Sequence, residues 1–296
     1  MILVTGGTGF VGPKVVHAIR AEGRPVRALV RSPGSRAART LASWGCELVQ
    51  GDMTDRESVW RAVQGCEAVV HLVALVRGKP ELYERVMIEG TRSLVAAAKE
   101  AGVGRFVLMS ALGVHEGSKD LTPYYRAKWD QEQTLTASGL EHVIFRPSFV
   151  FGRDGGVLAI LIRAFRFSPA VGIPGTRRMQ PIWVEDVAAF FAKALSTPEA
   201  TNRTFDLVGP DVVTWDDLYE RIKRILGKRR ATFHVPLGLA KAGAAVVEAL
   251  PGNLPMSRDA LTMLEFEDNV GDMAPAVATF GVTPIGLAEQ IRRAAA

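Results

Sequence analysis

Three glycines near the start of the chain, Gly6, Gly9 and Gly12 in "TGGTGFVG", follow the apolar run "ILVT" and precede a helical pattern that ends on Gly23. A strand that turns into a helix within so few residues needs glycine, because a side chain would block the tight turn. The same turn brings backbone N–H groups together at the positive end of a helix dipole, where an anion is stabilised. The spacing alone is a weak signal, since a merely tight strand–helix turn has it too. Its place after the first strand and before the first helix gives it weight. A dinucleotide pyrophosphate is the anion such a turn most often holds.

The rest of the chain agrees with that opening. Apolar runs at 25–31, 46–52, 67–74, 105–111 and 141–147 alternate with helical patterns, among them 81–101, stopped by Gly102, and 123–138. The runs are continuous rather than alternating, which marks strands buried on both faces of a parallel sheet. The expected class is α/β, a Rossmann-type doubly wound parallel sheet with a small, mainly helical C-terminal region. After Pro147 the pattern loosens, with Gly and Pro clustered at 152–156 and 169–175. "FDLVG" at 205–209 reads as one more strand, and "TWDDLYERIKRILG" as a helix capped by Thr214. Residues 1–150 are expected to form the dinucleotide-binding core. Residues 151–296 are expected to complete the sheet and form a smaller cap for substrate.

Composition narrows the partners. With 296 residues, 48% hydrophobic and 23% charged, the chain has ample material for a core. The net charge of +5 is spread along the sequence without a block of like charges, so a solvated basic surface is expected and nucleic acid is not. Cys46 and Cys66 have no metal-type spacing, nor do His17, His71, His115, His142 and His234, so no metal is expected. A reduced, cytoplasmic protein is the expectation. The chain enters a strand at once, leaving no room for a signal peptide, and its apolar runs, such as "VLAILI" at 157–162, are too short for a transmembrane segment. "PLGLAKAGAAVVEALPG", 236–252, reads as a packed helix, with a peripheral membrane or partner contact left open.

Gly6, Thr8, Gly9, Phe10, Val11 and Gly12 are therefore the expected cofactor loop. The second strand ends in "LVRSPGSR". Readers of NAD usually place an acidic residue there for the ribose 2′-hydroxyl. Arg31 takes that place, with Ser32 and Arg36 nearby, and a guanidinium suits a 2′-phosphate. NADP(H) is thus favoured over NAD(H), the bland alternative being that Arg31 stacks on adenine. Asp52 and Met53 of "GDMTD" are expected beside the adenine, though Asp52 equally suits a cap for the next helix. Leu72, Val73 and Ala74, closing the fourth strand, complete the expected lining.

"YYRAK" sets Tyr124 and Lys128 four apart, on one helix face. Together with "TGGTGFVG", "GDMTD", "FRPSFVFG" and "PIWVEDVA", in that order, it resembles the extended and atypical short-chain dehydrogenases/reductases. The tail, "LPMSRDALTMLEFEDNV" and "FGVTPIGLAEQI", is similar to the subgroup that includes the dinucleotide-binding accessory subunit of mitochondrial complex I and its bacterial epimerase/dehydratase-like relatives. The resemblance implies that Tyr124 is the general acid/base. It implies that Lys128 holds the nicotinamide ribose and lowers the phenol's pKa. Tyr125 is the rival, three residues from Lys128. Ser110, Ala111, Pro147 and Phe149 are expected to border the nicotinamide. Two family positions depart: Ala111 and Leu112 stand where the catalytic Ser belongs, and Met87 where the Asn belongs. An Arg that sugar-nucleotide enzymes use has Met179 in its place, with Arg177 and Arg178 adjacent. The resemblance implies an oxidoreductase moving a hydride to or from a carbonyl or alcohol carbon. The alternatives are a non-catalytic dinucleotide-binding accessory or sensor protein, and a sugar-nucleotide epimerase or dehydratase. Substrate and oligomeric state are not readable.

Overall fold

The strands come where the apolar runs put them, and each is short. The computed structural model describes residues 1–75, 77–173, 175–236, 238–242 and 258–296. Most of the 236–252 segment, from 243 on, lies outside the described residues, and so does its reading as a packed or interfacial helix. β1 (Ile2–Thr5) is buried at all four positions. α1 (Gly12–Ala21) buries Gly12, Val15, Val16 and Ile19, one stripe of a 3.6-residue period. Then come β2 (Val26–Val30), α2 (Arg36–Ser43), β3 (Glu47–Gln50), α3 (Arg56–Val63) and β4 (Ala68–His71). Ser35 caps α2 by accepting from the Ala38 N–H, and Asp55 caps α3 by accepting from Glu57. Asp52 is thus not the cap of that helix; its carboxylate accepts from Thr54 N and Oγ1 at 2.9 and 2.7 Å.

One helical run follows: α4 (Pro80–Tyr83), a π-helical turn (Glu84–Glu89) and α5 (Gly90–Glu100). Gly102, at φ +70°, stops it. β5 (Arg105–Met109), α6 (Pro123–Ala137), capped by Thr122, and β6 (His142–Pro147) come next. Beyond Pro147 the elements are β7 (Val150–Phe151), α7 (Gly156–Phe167), β8 (Ala170–Ile173), β9 (Arg178–Met179), β10 (Ile182–Trp183), α8 (Val184–Ala194), β11 (Arg203–Leu207), β12 (Val213–Thr214), α9 (Trp215–Leu226) and β13 (Ala231–His234). Helices at Arg258–Phe266, Ala274–Phe280 and Leu287–Ala295 close the described chain.

The central sheet has seven strands in the order β11-β6-β5-β4-β1-β2-β3. The pairs from β6 through β3 are all parallel. The chain winds from β1 to one edge through β3, then crosses to β4 and winds the other way. The reversal falls between β1 and β4, where Thr5 pairs with His71. In doubly wound sheets the crevice at the carboxyl ends of the strands at this reversal is where ligands bind.

The chain forms two compact units. The first comprises Met1–Pro147, Val184–Asp206 and Ala274–Thr283; the second comprises Ser148–Trp183, Leu207–Met273 and Pro284–Ala296. In the first, Leu3, Val59, Val69, Leu94, Phe106, Leu135 and Ile144 share one apolar core. α8 packs on α1, with Lys14 Nζ 3.2 Å from Glu185. Phe280 lies 5.4, 5.8 and 5.0 Å, ring centre to ring centre, from Phe145, Phe190 and Phe205. Each such buried aromatic pair adds about 0.5–1.5 kcal/mol beyond its burial.

The second unit packs around Phe151, Leu158, Phe165, Trp215, Tyr219 and Ile291. Thr214 and Asp217 form a reciprocal capping box at the start of α9, and Gly227 ends it in the left-handed conformation. This unit is mainly helical, as expected, and also holds the short ladders β7–β10, β9–β12 and β8–β13. Strands of two to four residues among Gly and Pro carry too little periodicity to be seen in sequence. Among the described residues no helix is long and apolar enough to cross a membrane.

Candidate functional site

The three glycines do different work. Gly6 sits at φ +77°, and a Cβ there would come within 2.9 Å of the Leu72 carbonyl carbon. A Cβ on Gly12 would lie 2.4 Å from the Gly6 oxygen, inside any allowed contact. Gly9 is unlike both: its Cβ would meet only the Gly6 oxygen, at 3.4 Å, with open space otherwise. So Gly6 and Gly12 close the turn, and Gly9 keeps its surface clear. Thr8 and Gly9 are exposed, Phe10 is half-buried and Val11 is buried. No side chain caps α1, and its first turn has no acidic residue. Unpaired N–H groups behind a glycine turn make an anion cradle, so these residues fit a dinucleotide pyrophosphate.

At the carboxyl end of β2, Arg31 and Ser32 are exposed, as is Arg36 at the start of α2. Neither guanidinium has a hydrogen bond or ion pair with another described residue. Asp52 is half-buried and Met53 buried. Burial works to raise the Asp52 carboxyl, but hydrogen bonds from Thr54 and the charges of Arg31 and Arg85 outweigh it and hold the pKa below the usual carboxylate range. Arg31 and Arg85 therefore share the field around Asp52. Leu72, past the end of β4, is buried, while Val73 and Ala74 are half-buried.

α6 brings Tyr124 and Lys128 to the carboxyl edge of the sheet. Lys128 is fully buried, and its Nζ donates to the carbonyls of Met109 at 2.6 Å and Val73 at 3.4 Å. It thus bridges the carboxyl ends of β4 and β5. Burial pushes its pKa down to about 7, with Glu132 acting against the fall. Tyr124, one turn earlier, packs with Tyr83, Met87 and Ala127. Burial raises its phenol pKa, and Tyr125 and Tyr83 add to the rise. The expected lowering by Lys128 is therefore absent in this structure; the half-buried phenol is held above its ordinary range. Tyr125 is buried and its hydroxyl donates to the Leu112 carbonyl at 3.3 Å, a structural bond that sets it apart from Tyr124.

Ser110 follows β5, its N–H bonded to the Phe145 carbonyl at 2.7 Å. Among the described residues its buried Oγ has no hydrogen-bond partner, an orphan that a bound ligand would satisfy. Ala111 is half-buried and Pro147 buried. Phe149 belongs to the second unit, where its ring meets Trp215 edge-on at 5.9 Å. Also in that unit, Met179 is fully buried and Arg178 is paired with Asp268 at 2.8 Å.

Sequence reasoning missed the polar network beneath this edge. His71 is fully buried, its Nδ1 2.6 Å from Thr5 Oγ1 and its Nε2 2.9 Å from Thr91 Oγ1. Gln131 donates to Thr91 Oγ1 at 2.8 Å and to the Met87 carbonyl at 3.2 Å. Thr91 donates to that same carbonyl. Arg146 sits in β6 and grips Glu132 with two bonds of 2.9 and 2.5 Å. One signal was available: Gln131 and Glu132 lie three and four residues past Lys128, on its helix face.

The chain resembles known proteins along most of its length. A family model described as NAD(P)H-binding matches residues 6–198. A ceramide reductase of Caulobacter vibrioides is 30% identical over 250 residues, covering 83% of this chain and 77% of that protein. Subunit 9 of the NADH dehydrogenase [ubiquinone] 1 alpha subcomplex, mitochondrial, of Rattus norvegicus is 28% identical over 96% of this chain and 76% of its own length. Among solved structures, the NADPH complex of an NADPH-dependent quinone oxidoreductase from Escherichia coli superposes with a TM-score of 0.79, covering 98% of each chain at 24% identity. That last likeness is one of fold.

Proposed function

Because the chain belongs to the NAD(P)H-binding family, we propose that it is an NADP(H)-dependent oxidoreductase of the atypical short-chain type, reducing a carbonyl carbon with Tyr124 as proton donor. What supports this is that Tyr124 and Lys128 stand four apart on α6, with Lys128 Nζ on the carboxyl end of β5, in the same unit as the glycine cradle.

The dinucleotide, when bound, supplies the hydride. The glycine loop binds its diphosphate, and Arg31 with Arg36 offers paired donors to a 2′-phosphate. Lys128 serves the ribose and holds the end of β5 in place. Tyr124 keeps its proton at neutral pH, which suits an acid that protonates a nascent alkoxide rather than a base that deprotonates an alcohol. Ser110 Oγ offers a hydrogen bond to whatever lies beside it. With Ala111 in place of the family's Ser, one donor to the carbonyl oxygen is gone. Such a loss costs about a hundredfold in rate, so slow turnover is expected.

A second reading has its own support. The rat respiratory-chain relative spans nearly the whole chain, and Met87 fills, fully buried, the place of a polar relay residue. A dinucleotide held for structure or sensing agrees with both. The epimerase reading is weaker, since Met179 is buried and Arg178 is tied to Asp268.

The deciding experiment follows NADPH oxidation over a panel of carbonyl compounds. Tyr124→Phe should abolish oxidation and leave NADPH affinity within about twofold; Lys128→Ala should weaken affinity as well. An active Tyr124→Phe enzyme would overturn the assignment. Tight NADPH binding with no oxidation of any kind would favour the second reading.

A further inference from the structure

The second unit carries a surface that the proposed chemistry does not use. β8 and β13 form a parallel ladder with Ala170 opposite Ala231 and Gly172 opposite Phe233. Side chains alternate across such a ladder. Val171 and Ile173 face the buried core, so Ala170, Gly172, Ala231 and Phe233 share the outer face. Among the described residues that outer face has no polar side chain, and Phe233 is 55% exposed. Phe167, which ends α7 just ahead of β8, is 78% exposed, more than any other large apolar residue described. Isolated apolar residues on a surface are ordinary; an apolar sheet face flanked by two open phenyl rings is not.

The same end of the ladder is ringed by cations. Gly227, at φ +61°, ends α9 and turns the chain into Lys228, Arg229 and Arg230. These lead into β13 at the end where Phe167 leads into β8, because the ladder is parallel. Arg230 fixes the two segments together: its Nε and Nη2 donate to the Phe165 and Arg166 carbonyls at 3.1 and 3.0 Å. A recess of about 680 Å³ lies beside it, its charged lining being Lys223, Arg224, Lys228, Arg229 and Arg230 against Glu220 alone. Glu220 is occupied by Lys223 at 2.6 Å. Arg224, Lys228 and Arg229 have no ion pair among the described residues.

We propose that this face docks on an anionic lipid bilayer. Phe167 and Phe233 would enter the boundary between headgroups and acyl chains, and the cationic recess would take lipid phosphates. Stable attachment of a peripheral protein needs two such signals together, and each Lys or Arg near an anionic surface strengthens binding by roughly fivefold. Nucleic acid fits less well, because the strip between the rings is Ala and Gly, with no polar side chain to meet base edges.

The test is co-sedimentation of the full chain with vesicles of phosphatidylcholine, with and without phosphatidylglycerol. Binding is expected only to the anionic vesicles and should weaken as salt rises. Lys228→Glu with Arg229→Glu should lower it about tenfold or more, and Phe167→Ser should lower it independently. Both changes are on exposed positions, and unchanged thermal unfolding shows that the fold is kept. Phe167→Trp supplies a direct readout: its emission should shift to the blue when anionic vesicles are added. Failure of the parent chain to bind anionic vesicles, or binding with no shift in that emission, overturns the proposal. So does tighter binding to single-stranded DNA than to vesicles through the same cations.

Discussion

Gly9 and Gly12 stand three residues apart and answer to different constraints. A side chain on Gly12 would strike the backbone of the loop itself, while one on Gly9 would project into open space. Gly12→Val should therefore lower the thermal midpoint sharply, whereas Gly9→Val should leave it nearly unchanged and abolish NADPH binding, as measured by fluorescence titration. A Gly9→Val protein with full affinity would mean the loop is not the phosphate cradle. At the adenosine end, Arg31→Ala should erase a preference for NADPH over NADH, the two affinities converging to within about twofold. Equal affinities in the parent chain would remove the basis for that assignment. The glycine spacing was legible because it is local. That Gly6 is also held against Leu72 was not, because that contact comes from far along the chain. Ser110 was visible as a residue, but its unpartnered Oγ is a property of its surroundings.

α6 carries Tyr124, Lys128, Gln131 and Glu132 on a single helix, so whatever seats the helix also seats the chemistry. Glu132 is nearly fully buried against Arg146. Glu132→Ala leaves a partly buried guanidinium unpaired and should cost about 3 kcal/mol in urea unfolding. Glu132 also acts against the fall of the Lys128 pKa, so its loss should move the Lys128 titration further below 7. If NADPH binding depends on the Lys128 charge, its pH dependence should move to lower pH in this variant; an unmoved profile would separate the two. The Tyr–Lys spacing could be read from sequence, since both residues lie within one turn. The grip of Arg146 and the His71 network could not, because their partners come from β1, β4, α5 and β6. Nor does "ERVMIE" announce a π-helical turn, although that turn holds the Met87 carbonyl that Thr91 and Gln131 share.

The molecule as a whole should be sensitive to acid for a reason that lies in its centre. Burial, aided by the Lys128 charge, pushes His71 down to about 3 from its ordinary 6.5. Between those values the unfolded chain binds a proton that the folded chain refuses, so stability falls as pH drops from 6.5 towards 3. The loss is on the order of 4 kcal/mol by the lower limit. Lys128, lowered to about 7, works in the same sense in a higher window: its penalty is full below 7 and fades as pH rises towards 10.5. Urea unfolding across pH 4 to 7 should show the first slope, and a His71→Asn variant should flatten it. A parent profile flat below 6.5 would show that His71 is protonated in the fold. At this scale the sheet was legible from alternating apolar and helical segments. That later residues complete the sheet was expected; which segments return to the first unit, 184–206 and 274–283, was not legible, since nothing local distinguishes them from their neighbours.

That return has a consequence for synthesis. Phe145 is among the last residues of the first continuous stretch of its unit, and its aromatic partners Phe190, Phe191, Phe205 and Phe280 emerge from the ribosome much later. Until Phe280 arrives, a nascent chain with most of its strands made exposes the apolar side of β6 to its surroundings. The closing contacts are distant in sequence, which slows folding and prolongs that exposure. A chain cut at Pro147 would hold every residue of the glycine loop and of "YYRAK", yet it should aggregate when expressed. Holding factors that shield nascent apolar surface should be found on the translating chain through its middle third and leave only near its end.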